Sequence, residues 1–215
     1  MKQKRLETIC SFLDIDDKMI DVGCDHAYVA IEMARRGCQK ILATDIHPKA
    51  LDIAKKNIAN ENYTKQIKCQ LSDGLKEITM NDFDTLVIAG MGTSTIIQIL
   101  SDTKKMQNIT KMILQSNHDL PKLRTFVNQL GYQLKKEQII EENNHYYTIM
   151  LWIKGHQILT SEEIEFGLYQ KENQKYYQIW FQKEQELLNK IPKTQKKKLN
   201  EIKKRQHILQ NYLNN

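Results

Sequence analysis

Through roughly the first 154 residues, short apolar runs alternate with stretches whose apolar positions recur every three or four residues. The short runs read as strands and the longer stretches as amphipathic helices. The pattern predicts helices over 2–13, with Leu6, Ile9 and Leu13 on one face, and over 26–36, 48–60, 94–100 and 120–130. It predicts strands over 18–24, 40–44, 66–71, 84–89 and 112–115. Gly37 and Gly131 stand where two helices should stop, and Pro48 sits in a first helical turn, where its missing N–H costs nothing. Two longer strands follow, 133–141 and 146–154, and the intervening Glu142-Asn143-Asn144-His145 reads as a hairpin turn.

Strands alternating with helices imply a parallel sheet with right-handed crossovers, and a closing hairpin adds antiparallel pairing at one edge. The expected fold class is therefore α/β, a Rossmann-like sheet. From about residue 160 the strand signals stop and Gln, Lys and Glu dominate. Ser161 before Glu162, Glu163 and Ile164 resembles a helix start, and that helix is expected to reach Lys190. Ile191-Pro192 should break it, because proline disfavours helix in the residue before it. A second helix is expected over 193–213. Ile164, Leu168, Ile179, Leu187 and Ile191 on the first helix face Leu199, Ile202, Leu209 and Leu213 on the second in a coiled-coil-like spacing, which predicts an antiparallel hairpin. The expected domains are 1–157 and 158–215.

Composition adds bounds. The 215 residues carry 32 Lys and Arg against 26 Asp and Glu, a formal charge of +6. That balance favours a polyanionic partner without identifying one. No segment approaches the length of a membrane span, and the opening MKQKRLETICSFLD lacks the apolar run of a signal peptide. The chain is expected in the cytoplasm, as a monomer without membrane attachment. Cys10, Cys24, Cys38 and Cys69 form no CxxC pair and no Cys/His cluster with zinc spacing, so packing is their expected role and no metal is expected.

The chemistry concentrates in loops that follow strands. Asp21-Val-Gly23-Cys24-Asp25-His26-Ala-Tyr28 leaves the first strand and enters the first crossover helix, where nucleotide cofactors bind. A dinucleotide site would carry GxGxxG, but Asp25 occupies the second glycine position. A carboxylate there repels a pyrophosphate. It suits S-adenosylmethionine, which has no phosphate and carries a cationic sulfonium and ammonium. Asp25 could alternatively serve only as a helix cap. Asp45 ends the second strand, followed by Ile46, and an acid there can accept hydrogen bonds from ribose hydroxyls. It could also be a plain turn residue. Asp73-Gly74 follows the third strand, where an acid can reach an adenine amine, although Asp-Gly is more often a simple turn. Ala89-Gly90-Met91-Gly92 follows the fourth strand. Its glycines allow close backbone approach to a ligand, or merely cap a strand and open the next helix. The Asn/Asp-Pro-Pro-aromatic motif of exocyclic-amine methylation is missing from this loop.

Together, DVGCDHAY, ATDIHPKAL, SDGL, VIAGMG and LQSN resemble the bacterial tRNA (adenine-22-N1)-methyltransferase family, over roughly residues 5–155 and into the helical tail. The resemblance implies a class I methyltransferase fold, S-adenosylmethionine as donor, and N1 of a D-arm adenine in tRNA as acceptor. It also implies a C-terminal coiled-coil-like domain that helps hold tRNA. Where the family commonly has Gln-Pro-Asn, this chain has Gln115-Ser116-Asn117, so the proline's stiff turn is absent. Gln115 and Asn117 can still hydrogen-bond a base or the cofactor, and Tyr146-Tyr147 also fits a family pattern.

Cofactor contacts are thus expected from Asp21, Gly23, Cys24, Asp25, His26, Asp45, Ile46, Asp73, Gly74, Ala89, Gly90, Met91 and Gly92. Asp25, His26 and Tyr28 are candidates for proton transfer and base orientation. Gln115, Asn117 and Tyr146 are candidates for the base, and Lys193, Lys196, Lys197, Lys198, Lys203, Lys204 and Arg205 for tRNA phosphates. The tail lysines could equally form a solvated helix face. An NAD-dependent oxidoreductase shares the alternating pattern but conflicts with Asp25. A non-enzymatic RNA-binding module leaves Asp21, Asp25, Asp45 and Asp73 unexplained. A methyltransferase acting on another RNA or on a small molecule remains the nearer alternative.

Overall fold

The computed structural model describes residues 4–80 and 82–214. It divides into two compact units that meet in sequence between Leu159 and Thr160. The first unit opens with α1 (Lys4–Ser11), and residues 2 and 3 of the expected first helix lie outside the described residues. Five strands, four of them followed by a helix, and then a hairpin follow: β1 (Lys18–Val22), α2 (Tyr28–Arg36), β2 (Lys40–Asp45), α3 (Pro48–Asn60), β3 (Ile67–Leu71), β4 (Thr85–Met91), α4 (Thr93–Leu100), β5 (Lys111–Ser116), α5 (Leu120–Gln129), β6 (Tyr132–Glu142) and β7 (His145–Lys154).

The seven strands form one sheet in the order β3-β2-β1-β4-β5-β7-β6. β1 to β5 are parallel, while β7 runs antiparallel to both β5 and β6. The β6–β7 hairpin closes through Asn143 and Asn144, both with positive φ (51° and 61°), as a two-residue type I′ turn demands. Central strands are buried on both faces: Met19, Ile20, Leu86, Val87, Ile88, Ile113 and Leu114 have almost no exposed surface. That explains their continuous apolar runs in place of an alternating pattern. Of the four cysteines, Cys10, Cys24 and Cys38 are buried and none is bonded to another. Burial pushes the Cys10 thiol up to about 12, which leaves it a packing group.

Two sequence expectations shift at the loops. β1 ends at Val22 and α2 starts at Tyr28, because Gly23, Asp25 and Ala27 all take positive φ (74°, 48° and 59°). That backbone can continue neither strand nor helix. β4 runs to Met91, so Gly90 and Met91 belong to the strand end. The ladder with β5 shifts register between Ala89 and Met91, which places a bulge at Gly90.

In the second unit, the single helix expected over 161–190 is broken. α6 (Ser161–Phe166) begins with a capping box, in which Thr160 Oγ1 accepts from Glu163 N (3.1 Å) and Glu163 accepts from Thr160 N (2.8 Å). It stops at Gly167, and a short 3-10 turn (Lys171–Asn173) precedes α7 (Gln174–Lys190) and α8 (Lys196–Asn214). The break shifts the helical phase. Leu187, expected in the seam, is exposed. The core of this unit is instead aromatic, with Phe166, Tyr177 and Leu209 buried and Tyr176, Trp180, Phe181 and Tyr212 packed on them. α7 and α8 do pair, as the hairpin expectation required. Arg205 on α8 holds the buried Glu184 on α7 with two hydrogen bonds (3.0 and 2.9 Å).

Candidate active site

β1 and β4 lie side by side at the centre of the sheet, and their following segments diverge towards opposite edges. Such a switch point leaves a crevice at the C-terminal strand ends. A cavity of about 1030 Å³ opens there. Its walls include Asp21 near the end of β1 and Gly23, Cys24, Asp25, His26 and Tyr28 after it, Asp45 at the end of β2 and Ile46 after it, Asp73 and Gly74 after β3, and Ala89, Gly90 and Met91 at the end of β4.

The first loop is held mainly by its neighbour strand. Gly23 N and Cys24 N both donate to Thr44 O at 2.8 Å. Asp25 N donates to Asp45 Oδ2 (3.1 Å), and His47 N donates to Asp45 Oδ1 (2.9 Å). Asp45 is therefore both a cavity-wall carboxylate and the tie between two loops. Gly23 suits the loop because its φ is left-handed, while a Cβ there would only displace the flexible tip of the Met91 side chain. The Asp25 side chain is largely exposed, with Oδ2 3.6 Å from His26 Nε2. The His26 ring stacks on Tyr28 (centroids 5.4 Å apart, planes 14° apart), and half of Tyr28 remains open to solvent. Asn57 steadies this arrangement by donating to His26 O (3.1 Å).

Asp21 is buried beneath the loop at 5% exposure. Desolvation and the neighbouring Asp45 carboxylate push its pKa up to about 7, opposed by the backbone N–H of Ala30. A buried acid poised near neutrality, with a second carboxylate close by, is an unfavourable place for a phosphate and a favourable one for a cation. Asp73 pairs with Lys76, and Glu77 accepts from Asp73 N (2.9 Å) and Ser72 Oγ (2.9 Å), which fixes the turn after β3.

Gln115, expected to touch base or cofactor, is fully buried and lies outside the cavity wall. Its Oε1 accepts from Gly90 N (3.0 Å), and its Nε2 donates to Asn117 Oδ1 (3.2 Å). Asn117 lines the cavity and donates to Gly90 O (2.8 Å). These two side chains thus clamp the bulge at Gly90. Ser116 supplies stiffness where a proline was expected: its hydroxyl lies within reach of Thr93 Oγ1 (2.8 Å), His118 O (3.0 Å) and Met91 O (3.3 Å). Gly92 caps α4 and lies outside the wall, while Tyr146 lines it. Lys193, Lys196, Lys197, Lys198, Lys203 and Lys204 are exposed in the second unit, and Arg205 is half-buried against Glu184. Lys193 precedes α8, which begins at Lys196.

Sequence reasoning missed two walls. Arg5, Leu6 and Ile9 of α1 join His145 and Tyr147 of β7 on one side, and Thr95, Gln98, Ile99 and Asp102 of the α4 region line the other. Tyr147 apart, which belongs to the Tyr146-Tyr147 pattern, no motif marks them, since tertiary packing brings them to the cavity.

The strand order, the antiparallel β7 and an acid-lined cavity without a phosphate cradle define a class I methyltransferase. The model of a family described as a methyltransferase domain matches residues 2–150. A tRNA (adenine(22)-N(1))-methyltransferase of Bacillus subtilis is 29% identical over 150 residues, covering 69% of this chain and 63% of that protein. The structure of M. capricolum TrmK with S-adenosyl-homocysteine is 30% identical, covers 100% of this chain and 98% of that one, and has a TM-score of 0.85. The B. subtilis m1A22 tRNA methyltransferase TrmK superposes with a TM-score of 0.84 at 25% identity, covering 99% of each chain. The protein belongs to the bacterial tRNA (adenine-22-N1)-methyltransferase family. Among the described residues, no helix is long and apolar enough to cross a membrane.

Proposed function

We propose that this protein methylates N1 of a D-arm adenine, position 22, in tRNA, with S-adenosylmethionine as donor, acting in the cytoplasm as a monomer. The observation that carries the donor is the set of carboxylates at the switch point, with Asp45 tying the loops and Asp21 buried under them. Bound there, S-adenosylmethionine supplies an electrophilic methyl group on a positively charged sulfur. Asp45 would accept the ribose hydroxyls, Asp21 would favour the ligand's positive charge, and Gly23 and Gly90 would admit the ligand to the backbone. Ile46, half exposed on the wall, would cover an apolar face of the nucleoside.

The acceptor half rests on kinship and on the missing exocyclic-amine motif. Ring nitrogen N1 has an in-plane lone pair and needs no deprotonation beforehand, so placement is the main task of the site. The methylated ring stays cationic until its exocyclic amine loses a proton. Asp25 and the adjacent His26 are assigned to stabilise that charge or accept that proton. The exposed Tyr28 ring offers a face on which an extruded base can stack. Residues 160–215 are assigned the grip on tRNA, through the exposed lysines of α8 and Lys193. Arg205 is assigned to the hairpin's own ion pair.

Calorimetry tests the cofactor half. S-adenosylmethionine should bind and NAD should not. Affinity should rise as pH increases through about 7, because binding a cation beside Asp21 requires its proton to leave. The free protein should show the opposite linkage. The folded pKa of Asp21 is raised from 3.8 to about 7, so the unfolded chain ionises first and stability falls as pH rises across that window. Asp21→Asn should flatten both dependences. An affinity independent of pH in the parent protein would remove Asp21 from the site.

A further inference from the structure

The cavity wall holds five aspartates, Asp21, Asp25, Asp45, Asp73 and Asp102, yet a nucleic-acid substrate must bring phosphates to its mouth. Histidines apart, Arg5 and Lys76 are the cations on that wall among the described residues. Lys76 is already engaged by Asp73. No carboxylate among the described residues pairs with the Arg5 guanidinium.

Arg5 is nevertheless held in place. Its guanidinium carbon sits 5.0 Å from the centre of the Tyr147 ring, a cation–π contact on a residue anchored in the β6–β7 hairpin. Its backbone N–H donates to Glu142 Oε1 (3.4 Å), and Lys4 Nζ reaches Glu141 O (3.4 Å), so the first turn of α1 is tied to the same hairpin. Leu6 and Tyr147 both pack on the main core. A planar cation backed by an aromatic face, half-buried and with no carboxylate partner among the described residues, suits an anion: the cofactor's own carboxylate or a phosphate of the nucleic acid, of which the phosphate lies at the cavity mouth. Guanidinium geometry matches two phosphate oxygens at once.

We infer that Arg5, seated on Tyr147, clamps the phosphodiester beside the target adenine and so places the base in the cavity. The inference rests on the RNA-methyltransferase reading above. It makes Arg5 a positioning residue contributed by the N-terminal helix, within the first unit and separate from the lysines of α8.

The test compares the full-length protein with Arg5→Ala, Arg5→Lys and Tyr147→Phe, using unmodified tRNA. Arg5→Ala should raise KM for tRNA on the order of tenfold with kcat largely kept, since the contact exists before and during reaction. It should lower the slope of log KM against log salt by about 1, as loss of one phosphate contact requires. Arg5→Lys should keep that slope but recover only part of the affinity, and Tyr147→Phe should behave like the parent because the ring remains. Affinity for S-adenosylmethionine should be unchanged in all three; a tenfold loss of cofactor affinity in Arg5→Ala would instead place Arg5 on the cofactor's carboxylate and overturn the clamp. An Arg5→Ala protein with unaltered KM and salt slope would overturn the clamp while leaving the proposed function standing. Absence of tRNA methylation by the parent protein would overturn both.

Discussion

Asp45→Ala should weaken S-adenosylmethionine binding by at least about a hundredfold. Two losses combine. The ribose hydroxyls would lose a charged acceptor, worth roughly 1.5–3 kcal/mol in a buried setting. The carboxylate also accepts from Asp25 N and His47 N, so its removal strips the partner from two backbone donors and releases the loops on either side of the crevice. Asp45→Asn retains one acceptor oxygen and should lie between the two. A second consequence follows from the Asp45 charge, which helps hold the Asp21 pKa up: either substitution should shift the pH dependence of cofactor binding to lower pH. Calorimetric titration across pH measures both effects. Binding by Asp45→Ala within threefold of the parent would show that the ribose lies elsewhere.

Deleting residues 160–215 should have the second large effect, this time on RNA alone. The second unit has its own aromatic core and the first has its own sheet, so cofactor affinity should survive the deletion nearly unchanged. Six exposed lysines, Lys193, Lys196, Lys197, Lys198, Lys203 and Lys204, leave with the tail. If several of them neutralise phosphates, tRNA affinity near physiological salt should fall by a hundredfold or more, and the salt dependence of binding should become shallower. Filter binding at several salt concentrations reads both quantities. A truncated protein that binds and methylates tRNA like the parent would return those lysines to a solvated helix face.

Legibility in the sequence followed how local each feature is. Asp21, Gly23, Asp25, Asp45, Asp73 and Gly90 lie at or just past strand ends, and strand ends converge by topology, so they were readable as one site. The Asp-Gly and Ala-Gly-Met-Gly loops were ambiguous alone and gained meaning only from their shared edge of the sheet. Gln115 shows the limit. Its polar side chain and position suggested ligand contact, whereas its carbonyl oxygen serves the Gly90 N–H from a fully buried site. A sequence cannot distinguish a polar group that meets a ligand from one that satisfies a bulged backbone.

Arg5, Gln98 and Asp102 were invisible for a different reason. They reach the cavity by packing of α1 and the α4 region, and no spacing encodes that approach. The tail failed on phase. Gly167 ends α6 after a single capping box, and once that break is missed the first helix's assignment loses its phase, as exposed Leu187 shows, while Ile202 and Leu209 of α8 are buried as expected. Where Ser116 replaces a proline, the doubt was about placement. A hydroxyl between Thr93, His118 and Met91 now accounts for it.

The most direct measurement is incubation of unmodified tRNA with the protein and methyl-labelled S-adenosylmethionine, followed by nuclease mapping and nucleoside mass spectrometry. The expected result is label in 1-methyladenosine at a single D-arm adenine. Label in another nucleoside, or no 1-methyladenosine despite cofactor binding, would contradict the assignment of N1 of adenine as the acceptor.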